Sequence, residues 1–180
     1  ILDVQHDSIV DLIGIEDFTA LTSLKCDNNQ LTSLDVSQNT ALINLYVNDN
    51  QLTSLDLSSN NALYDLNCAG NLLSSLDVSQ NTYLTELKCD QNQLTSLDVS
   101  QNIYLTELEC DQNQLTSLNL SGANALTFLE CYDNQLSSLD VSQNTALTTL
   151  ICALNVLTCL NISNNIALED LVCENNLLEQ

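Results

Sequence analysis

The amino-acid sequence predicts a β-rich solenoid of the α/β class, in which short coils stack into a right-handed superhelix. A parallel β-sheet is expected along one face, with short turns or 3₁₀ segments along the other. The first observation is a 21-residue unit that recurs without a slip from Leu24 to Leu171. The second is that the units share the pattern L-x-x-L-x-C-x-x-N-x-L, with valine for cysteine in one of them. A fixed period of about 20–50 residues is typical of solenoids.

This pattern is that of a leucine-rich repeat. Stacked repeats form one continuous domain because each coil contacts only its neighbours. We therefore expect a single leucine-rich-repeat domain over residues 1–180. It divides into an irregular 22-residue opening coil (1–23), regular 21-residue coils (24–170) and a truncated last coil (171–180).

One regular unit shows how a coil forms. The alternation at Leu24, Lys25 and Cys26 predicts a short β-strand, with the leucine and the cysteine facing the interior. Ser23, Lys25 and Asp27 are expected to face solvent. Asn29 follows the strand, and an asparagine at every equivalent position predicts a buried amide ladder that satisfies backbone groups at the turn. The rest of the coil is too short for a long helix, so we expect irregular structure or a single 3₁₀ turn.

Seven of the eight cysteines occupy one column, in which Val47 stands once. Neighbouring parallel strands lie about 4.8 Å apart, and stacked side chains point the same way. This arrangement misses the geometry of a disulfide, and valine cannot replace a metal ligand. We therefore expect reduced cysteines that pack as small hydrophobic groups. Cys159 lies outside the column and is expected to be a lone free thiol.

A column of aspartates on the other side of each coil has two interpretations. Carboxylates about 5 Å apart could collect Ca²⁺, or they could cap turns. Asn119 and Asn161 stand in the same column and keep the hydrogen-bond acceptor without the charge, which favours capping. A serine two residues later recurs in every coil, as capping hydroxyls would. The aspartates are Asp35, Asp56, Asp77, Asp98 and Asp140.

Composition excludes several functions. The formal net charge is −22, and Lys25 and Lys88 are the only basic residues apart from one histidine. Nucleic-acid binding needs lysine and arginine, and anionic membrane surfaces are likewise disfavoured. No apolar run reaches the roughly 18 residues of a membrane helix. We find no nucleophile elbow, phosphate loop or metal-spaced His/Cys set, so we expect no enzyme, no cofactor and no metal site.

The candidate ligand-binding residues are outward-facing side chains of the middle coils, because the interior columns are constant in type. Most of these residues are acidic. One lysine supplies the single positive charge among them, and two aromatic residues border them. Like charges on adjacent strands are unfavourable, which points to a cationic or cation-assisted ligand, although a plain solvated surface stays open. The candidates are Glu86, Lys88, Asp90, Glu107, Glu109, Asp111, Phe128, Glu130, Tyr132 and Asp133.

Two other groups of outward residues lie outside these candidates. Tyr83 and Tyr104 occupy a position that is alanine in other coils, and we expect their rings to stack on each other. Ile151 and Leu154, in the apolar last coils, are a second candidate site if the acidic residues are only a solvated surface.

The opening coil, with Gly14 and Phe18 in an L-x-G-I-x-x-F segment, resembles the first repeat of secreted bacterial leucine-rich-repeat proteins. The cysteine column and the L-D-V-S-x-N-T turn resemble the cysteine-ladder internalins and large extracellular repeat proteins of flavobacteria. This resemblance implies a secreted or cell-surface bacterial protein used in attachment or ligand capture. Neither a signal segment nor an anchor is recognisable in the sequence, so localisation rests on the resemblance.

The function expected from these observations is non-catalytic binding or adhesion, with a protein partner recognised through the concave strand face. The alternative is a polysaccharide- or cation-dependent binding module attached to a larger secreted enzyme or adhesin. A third interpretation is a stiff spacer. The partner is therefore expected to be a protein or a glycan.

Overall fold

The computed structural model describes residues 1–179, which form a stack of coils with a nine-stranded parallel sheet along one face. The strands are β1 Leu2–Asp3, β2 Ser23–Lys25, β3 Asn44–Tyr46, β4 Asp65–Asn67, β5 Glu86–Lys88, β6 Ser96–Asp98, β7 Glu107–Glu109, β8 Ser117–Asn119, β9 Phe128–Glu130, β10 Thr149–Ile151 and β11 Asp170–Val172. In the large sheet they follow in the order β1-β2-β3-β4-β5-β7-β9-β10-β11, and β6 pairs with β8 in a separate two-stranded sheet.

The register follows the sequence period. Leu45 pairs with Leu66, one unit along, while the opening coil pairs Leu2 with Leu24, one residue more. The predicted parallel-strand solenoid is thus confirmed. Among residues 1–179 a 3₁₀ helix occurs only in the opening coil, at Ile15–Asp17, and the regular coils return through turns. No helix in this range is long and apolar enough to span a membrane.

The leucine and cysteine columns form the core. Leu24, Leu45 and their equivalents through Leu150 are fully buried, and so are six cysteines of the column and Val47. Burial raises the pKa of the Cys110 thiol well above its ordinary value, and neighbouring charges add to this effect. The cysteines therefore pack as small hydrophobic groups, as predicted. Cys159 is exposed.

The asparagine ladder predicted from the Asn29 column connects successive coils. Asn92 donates from Nδ2 to the carbonyl oxygens of Cys68 at 3.0 Å and Cys89 at 3.2 Å, and so spans two coils. Its Oδ1 accepts the Leu73 N–H at 2.9 Å. One buried amide thus satisfies backbone groups that would otherwise lose hydrogen bonds on burial.

A second buried asparagine column, missed in the sequence, lies on the convex side. Asn102 donates to the carbonyl oxygens of Val78 at 3.1 Å and Asn81 at 2.9 Å, but its Oδ1 has no partner. Ala123 replaces the amide in one coil. The backbone there approaches so closely that a Cβ on Gly122 would lie 1.8 Å from the Ser100 carbonyl oxygen. The column comprises Asn39, Asn60, Asn81, Asn102, Asn144 and Asn165.

The aspartate column caps turns, as predicted. Asp56 accepts the Ser58 N–H at 2.9 Å, and Asn119 accepts the Ser121 N–H at 3.2 Å in the same way. Bonds from Ser58 lower the pKa of the Asp56 carboxyl. In each pair the aspartate or asparagine is the acceptor and the serine supplies the N–H.

The cysteine column generates a first prediction. Cys110→Ser should lower the free energy of unfolding by about 1–3 kcal/mol, because a fully buried hydroxyl would lack a partner. Cys110→Val should cost less, because Val47 already fills this position in another coil. Urea unfolding of the variants measures both. Cys159→Ser, at an exposed site, is the control and should stay within about 0.5 kcal/mol. Equal costs for serine and valine at position 110 would contradict the packing role.

The two asparagine columns generate a second prediction. Asn92→Ala should cost about 2–4 kcal/mol, because it leaves two carbonyls and one N–H without their partner. Asn102→Ala should cost less, since only the donors of Asn102 are used and Ala123 shows that a coil can close without the amide. The comparison uses urea unfolding under identical conditions. A larger loss for Asn102→Ala would show that the convex column is the stronger constraint.

Candidate functional site

The predicted site residues lie in three rows across β5, β7 and β9. Glu86, Glu107 and Phe128 are in register in the first row. Lys88, Glu109 and Glu130 form the second. All six are partly exposed, because alternate residues of each strand point away from the core. The structure thus brings these six predicted residues together on the outward face of the nine-stranded sheet.

Lys88 neutralises part of this surface. Its Nζ lies 2.8 Å from Glu107 Oε1 and 2.7 Å from Glu109 Oε1. Partial burial acts to lower the pKa of Lys88, but the bonds and charges of the two glutamates outweigh it and raise that pKa. The bond from Lys88 also lowers the pKa of Glu107. Lys88 therefore forms ion pairs with two carboxylates, and in the part of the chain that the structure describes the other carboxylates of this surface form none.

Asp90, Asp111 and Tyr132 form the third row, directly after the strands. Asp90 is 9% exposed and Asp111 is 5% exposed, and the Gln91 N–H donates to the Asp111 carbonyl at 3.0 Å, which ties the two coils together. Burial, with the charge of Asp90, raises the pKa of Asp111 to about 6. Burial likewise raises the pKa of Asp90. The side chain of Gln112 donates to the Tyr132 hydroxyl.

Two further carboxyls are held in an unfavourable environment. Burial raises the pKa of Glu86, with the charges of Asp65 and Glu107 adding to it. Burial and the charge of Asp111 also raise the pKa of Glu130. We call the six carboxylates of the three rows the acidic centre. Its members are Glu86, Asp90, Glu107, Glu109, Asp111 and Glu130.

Asp133, the remaining predicted residue, lies at the edge of this surface. It is exposed and has a φ of 51°, in the left-handed region. The equivalent position is left-handed in the other regular coils, including Asn28 and Gly70. The role of Asp133 in the turn therefore explains its position without a ligand.

Sequence patterns did not predict the polar contacts of the first coils. Lys25 Nζ lies 5.5 Å from the centre of the Tyr46 ring, and the Tyr46 hydroxyl donates to Asp65. Ser23 and Asp27, expected to face solvent, are 6% and 9% exposed. The opening coil lies against this strand, with the Val4 N–H bonded to the Lys25 carbonyl at 2.8 Å.

Metal binding has no arranged site in the part of the chain that the structure describes. No group of three or more His, Cys, Asp or Glu side chains there is placed to hold a metal ion. The acidic centre is thus a surface of separate carboxylates, which can form ion pairs with a cationic ligand.

Comparison with known proteins decides the class. No protein-family model matches the sequence. The solved functional domain of InlJ from Listeria monocytogenes, which includes a cysteine ladder, is 39% identical with a TM-score of 0.78. The similarity covers 99% of this chain and 45% of that one. This chain is a leucine-rich-repeat solenoid with a cysteine ladder.

Other matches agree with this assignment. Internalin J of Listeria monocytogenes serotype 4b (strain F2365) is 53% identical over 38 residues, which are 21% of the solenoid and 4% of that protein. A solved leucine-rich-repeat protein of Leptospira interrogans is 26% identical, with a TM-score of 0.82, over 90% of the solenoid and 45% of that chain. The solenoid therefore spans less than half the length of these relatives.

A plant structure shows the same fold. The plant peptide hormone receptor RGFR1, solved in complex with RGF2, is 22% identical with a TM-score of 0.69. The match covers 79% of the solenoid and 26% of the receptor. At this identity the likeness concerns the fold alone.

The buried Asp111 generates a third prediction. Its carboxyl has a pKa of about 6 in the folded solenoid against an ordinary 3.8. Above this pKa the ionised group destabilises the fold, and the cost disappears as pH falls from about 6 to about 4, because the folded state binds the proton first. Asp111→Asn should therefore raise the free energy of unfolding by about 1–2 kcal/mol near pH 7.5 and by little near pH 4.

Urea unfolding at both pH values measures this difference. Asp133→Asn is the matched control, since it removes an exposed carboxylate of the same face and asparagine tolerates the left-handed backbone. An equal gain from both variants would mean that general repulsion, and not the burial of Asp111, sets the effect.

Proposed function

We propose that this solenoid is a non-catalytic, extracellular protein-binding module that holds a cationic segment of its partner against the acidic centre of the concave face. The similarity to the internalin domain supports a protein-binding module. The concave face and the cationic segment are our inference from the charges described above.

The observation that carries this proposal is the crowding of carboxylates across three strands with one lysine among them. Glu109 and Glu130 are direct neighbours in register, and like charges directly opposite each other are destabilising. A cationic side chain placed between them would relieve that repulsion. Complementary charge also steers a partner to the surface and raises its rate of association.

The aromatic border can supply affinity that charge alone does not. Phe128 continues the row of Glu86 and Glu107, and Tyr132 continues that of Asp111. Protein interfaces place most of their binding energy in a few aromatic and arginine residues surrounded by polar groups. An arginine or lysine of the partner beside Phe128 would combine an ion pair with a cation–π contact.

The buried thiols are compatible with an extracellular location. A thiolate is the form that reacts in oxidation, and burial raises the pKa of Cys89 and of Cys131 well above the ordinary value. These cysteines therefore stay protonated and shielded from oxidants. Cys159, which is exposed, and Cys173, which is partly exposed, are the exceptions.

A fourth prediction tests the position of the binding surface. An oligolysine peptide is titrated by calorimetry into the solenoid and into a Glu109→Lys/Glu130→Lys variant. We expect binding to weaken by about tenfold or more in the variant. For the unaltered solenoid it should weaken as salt rises toward about 0.15 M, because exposed charges are then screened.

The matched control is Asp7→Lys/Glu169→Lys, which changes net charge equally at two exposed sites away from the acidic centre. This variant should lose much less affinity. If both variants lose the same affinity, only the total charge of the solenoid attracts the peptide, and the acidic centre is not a binding site.

A further inference from the structure

One flank of the solenoid carries no charge. It consists of the residues that precede the strands in four successive middle coils, and we call it the neutral flank. Its members are Asn61, Ala62, Tyr64, Thr82, Tyr83, Thr85, Ile103, Tyr104, Thr106, Asn124, Ala125 and Thr127. In a chain with 24 acidic residues and a net charge of −22, twelve clustered positions without an acid make a distinct surface.

Three exposed tyrosines occupy this flank. Tyr83 is 60% exposed and Tyr104 is 52% exposed, and their ring centres lie 6.3 Å apart with planes 2° from parallel. This confirms the predicted stacking. Tyr64, 52% exposed, stands one coil before Tyr83 in a neighbouring column. The tyrosines thus present aromatic surface to solvent.

The two ends of the tyrosine stack are open. Ala62 and Ala125 occupy the same column in the coils on either side of Tyr83 and Tyr104. An alanine side chain is too small to cover an aromatic ring. The outer face of each ring is therefore free to receive another flat, apolar surface.

The fold does not require these rings. Five other coils have alanine at the equivalent position, yet they stack in the same register. These alanines are Ala41, Ala62, Ala125, Ala146 and Ala167. Because large aromatic groups are exposed here without contributing to the core, a ligand is the better explanation for them.

A row of threonine hydroxyls runs beside the rings. Thr85 Oγ1 donates to the Tyr64 carbonyl at 3.2 Å, and Thr106 Oγ1 donates to the Thr85 carbonyl at 3.0 Å. Thr127 Oγ1 continues the row by donating to the Thr106 carbonyl at 3.0 Å. Because each hydroxyl donates its only hydrogen to a backbone carbonyl, its oxygen can still accept a hydrogen bond. The flank therefore offers neutral acceptors to a ligand with hydroxyl donors.

We propose that the neutral flank binds an uncharged polysaccharide, with the apolar face of a sugar ring on Tyr104 or Tyr83 and sugar hydroxyls donating to the threonines. A sugar ring has one flat, apolar face and a rim of hydroxyls, which matches the tyrosines and the threonine row. A cationic protein segment would find no carboxylate on this flank and would favour the acidic centre. The proposal goes beyond protein binding by the concave face and uses different residues.

The test is calorimetric titration with three neutral oligosaccharides: cellohexaose, chitohexaose and mannohexaose. At least one should bind the unaltered solenoid, and Tyr83→Ala/Tyr104→Ala should weaken it by about tenfold or more. Alanine is the residue of the neighbouring coils, so this variant should fold. Tyr83→Phe/Tyr104→Phe keeps the rings and should retain most of the affinity.

Two comparisons separate this site from the acidic centre. Glu109→Lys/Glu130→Lys should bind the oligosaccharide as tightly as the unaltered solenoid, and raising the salt concentration should change the affinity little, since no charge takes part. The proposal is wrong if none of the three oligosaccharides binds, if the alanine variant binds as well as the unaltered solenoid, or if the phenylalanine variant loses as much affinity as the alanine variant.

Discussion

The rest of the structure depends on the buried amide that links each coil to the one before it. Asn50 shows the arrangement: it donates to the Cys26 carbonyl of the preceding coil and the Val47 carbonyl of its own coil, and it accepts the Leu31 N–H. A buried backbone group without a partner costs about 1–3 kcal/mol, so a coil that slipped by one residue would lose several bonds at once. The ladder therefore fixes the 21-residue register, and the register places every other column.

The sequence predicted the role of a column where one or two coils carry a different residue. The substitute shows which property of the side chain that position requires. Val47 in the cysteine column excluded ligand and disulfide roles, and Asn119 in the aspartate column indicated an acceptor without a charge requirement. The Asn102 column was missed because it stands beside serine and glutamine in an apparently exposed turn, where local composition gives no sign of burial. The contact of Lys88 with both Glu107 and Glu109 depends on side-chain torsions, which no periodicity encodes.

Candidate residues on the strands could be predicted more easily than those beside them. Strand alternation placed Glu86, Glu107 and Phe128 in one outward row, and the register confirms it. Alternation could not show that Asp90 and Asp111 are largely buried, because they follow the strands, where the chain turns. Their burial depends on the side chains of adjacent coils. This burial raises the pKa of both carboxyls, which their place in the strand pattern alone does not predict.

The same ladder explains how one solenoid can carry both an acidic surface and an uncharged one. The ladder and the core hold the backbone, so outward side chains are free to vary from coil to coil at little cost to the fold. The acidic centre and the neutral flank exploit this freedom in the same middle coils, since Glu86 follows Thr85 and Glu107 follows Thr106 directly in sequence. Charge acts over about 8–10 Å at physiological ionic strength, whereas stacking acts only at contact. On the two proposals made above, the acidic centre attracts its ligand from a distance and the neutral flank selects its ligand by shape.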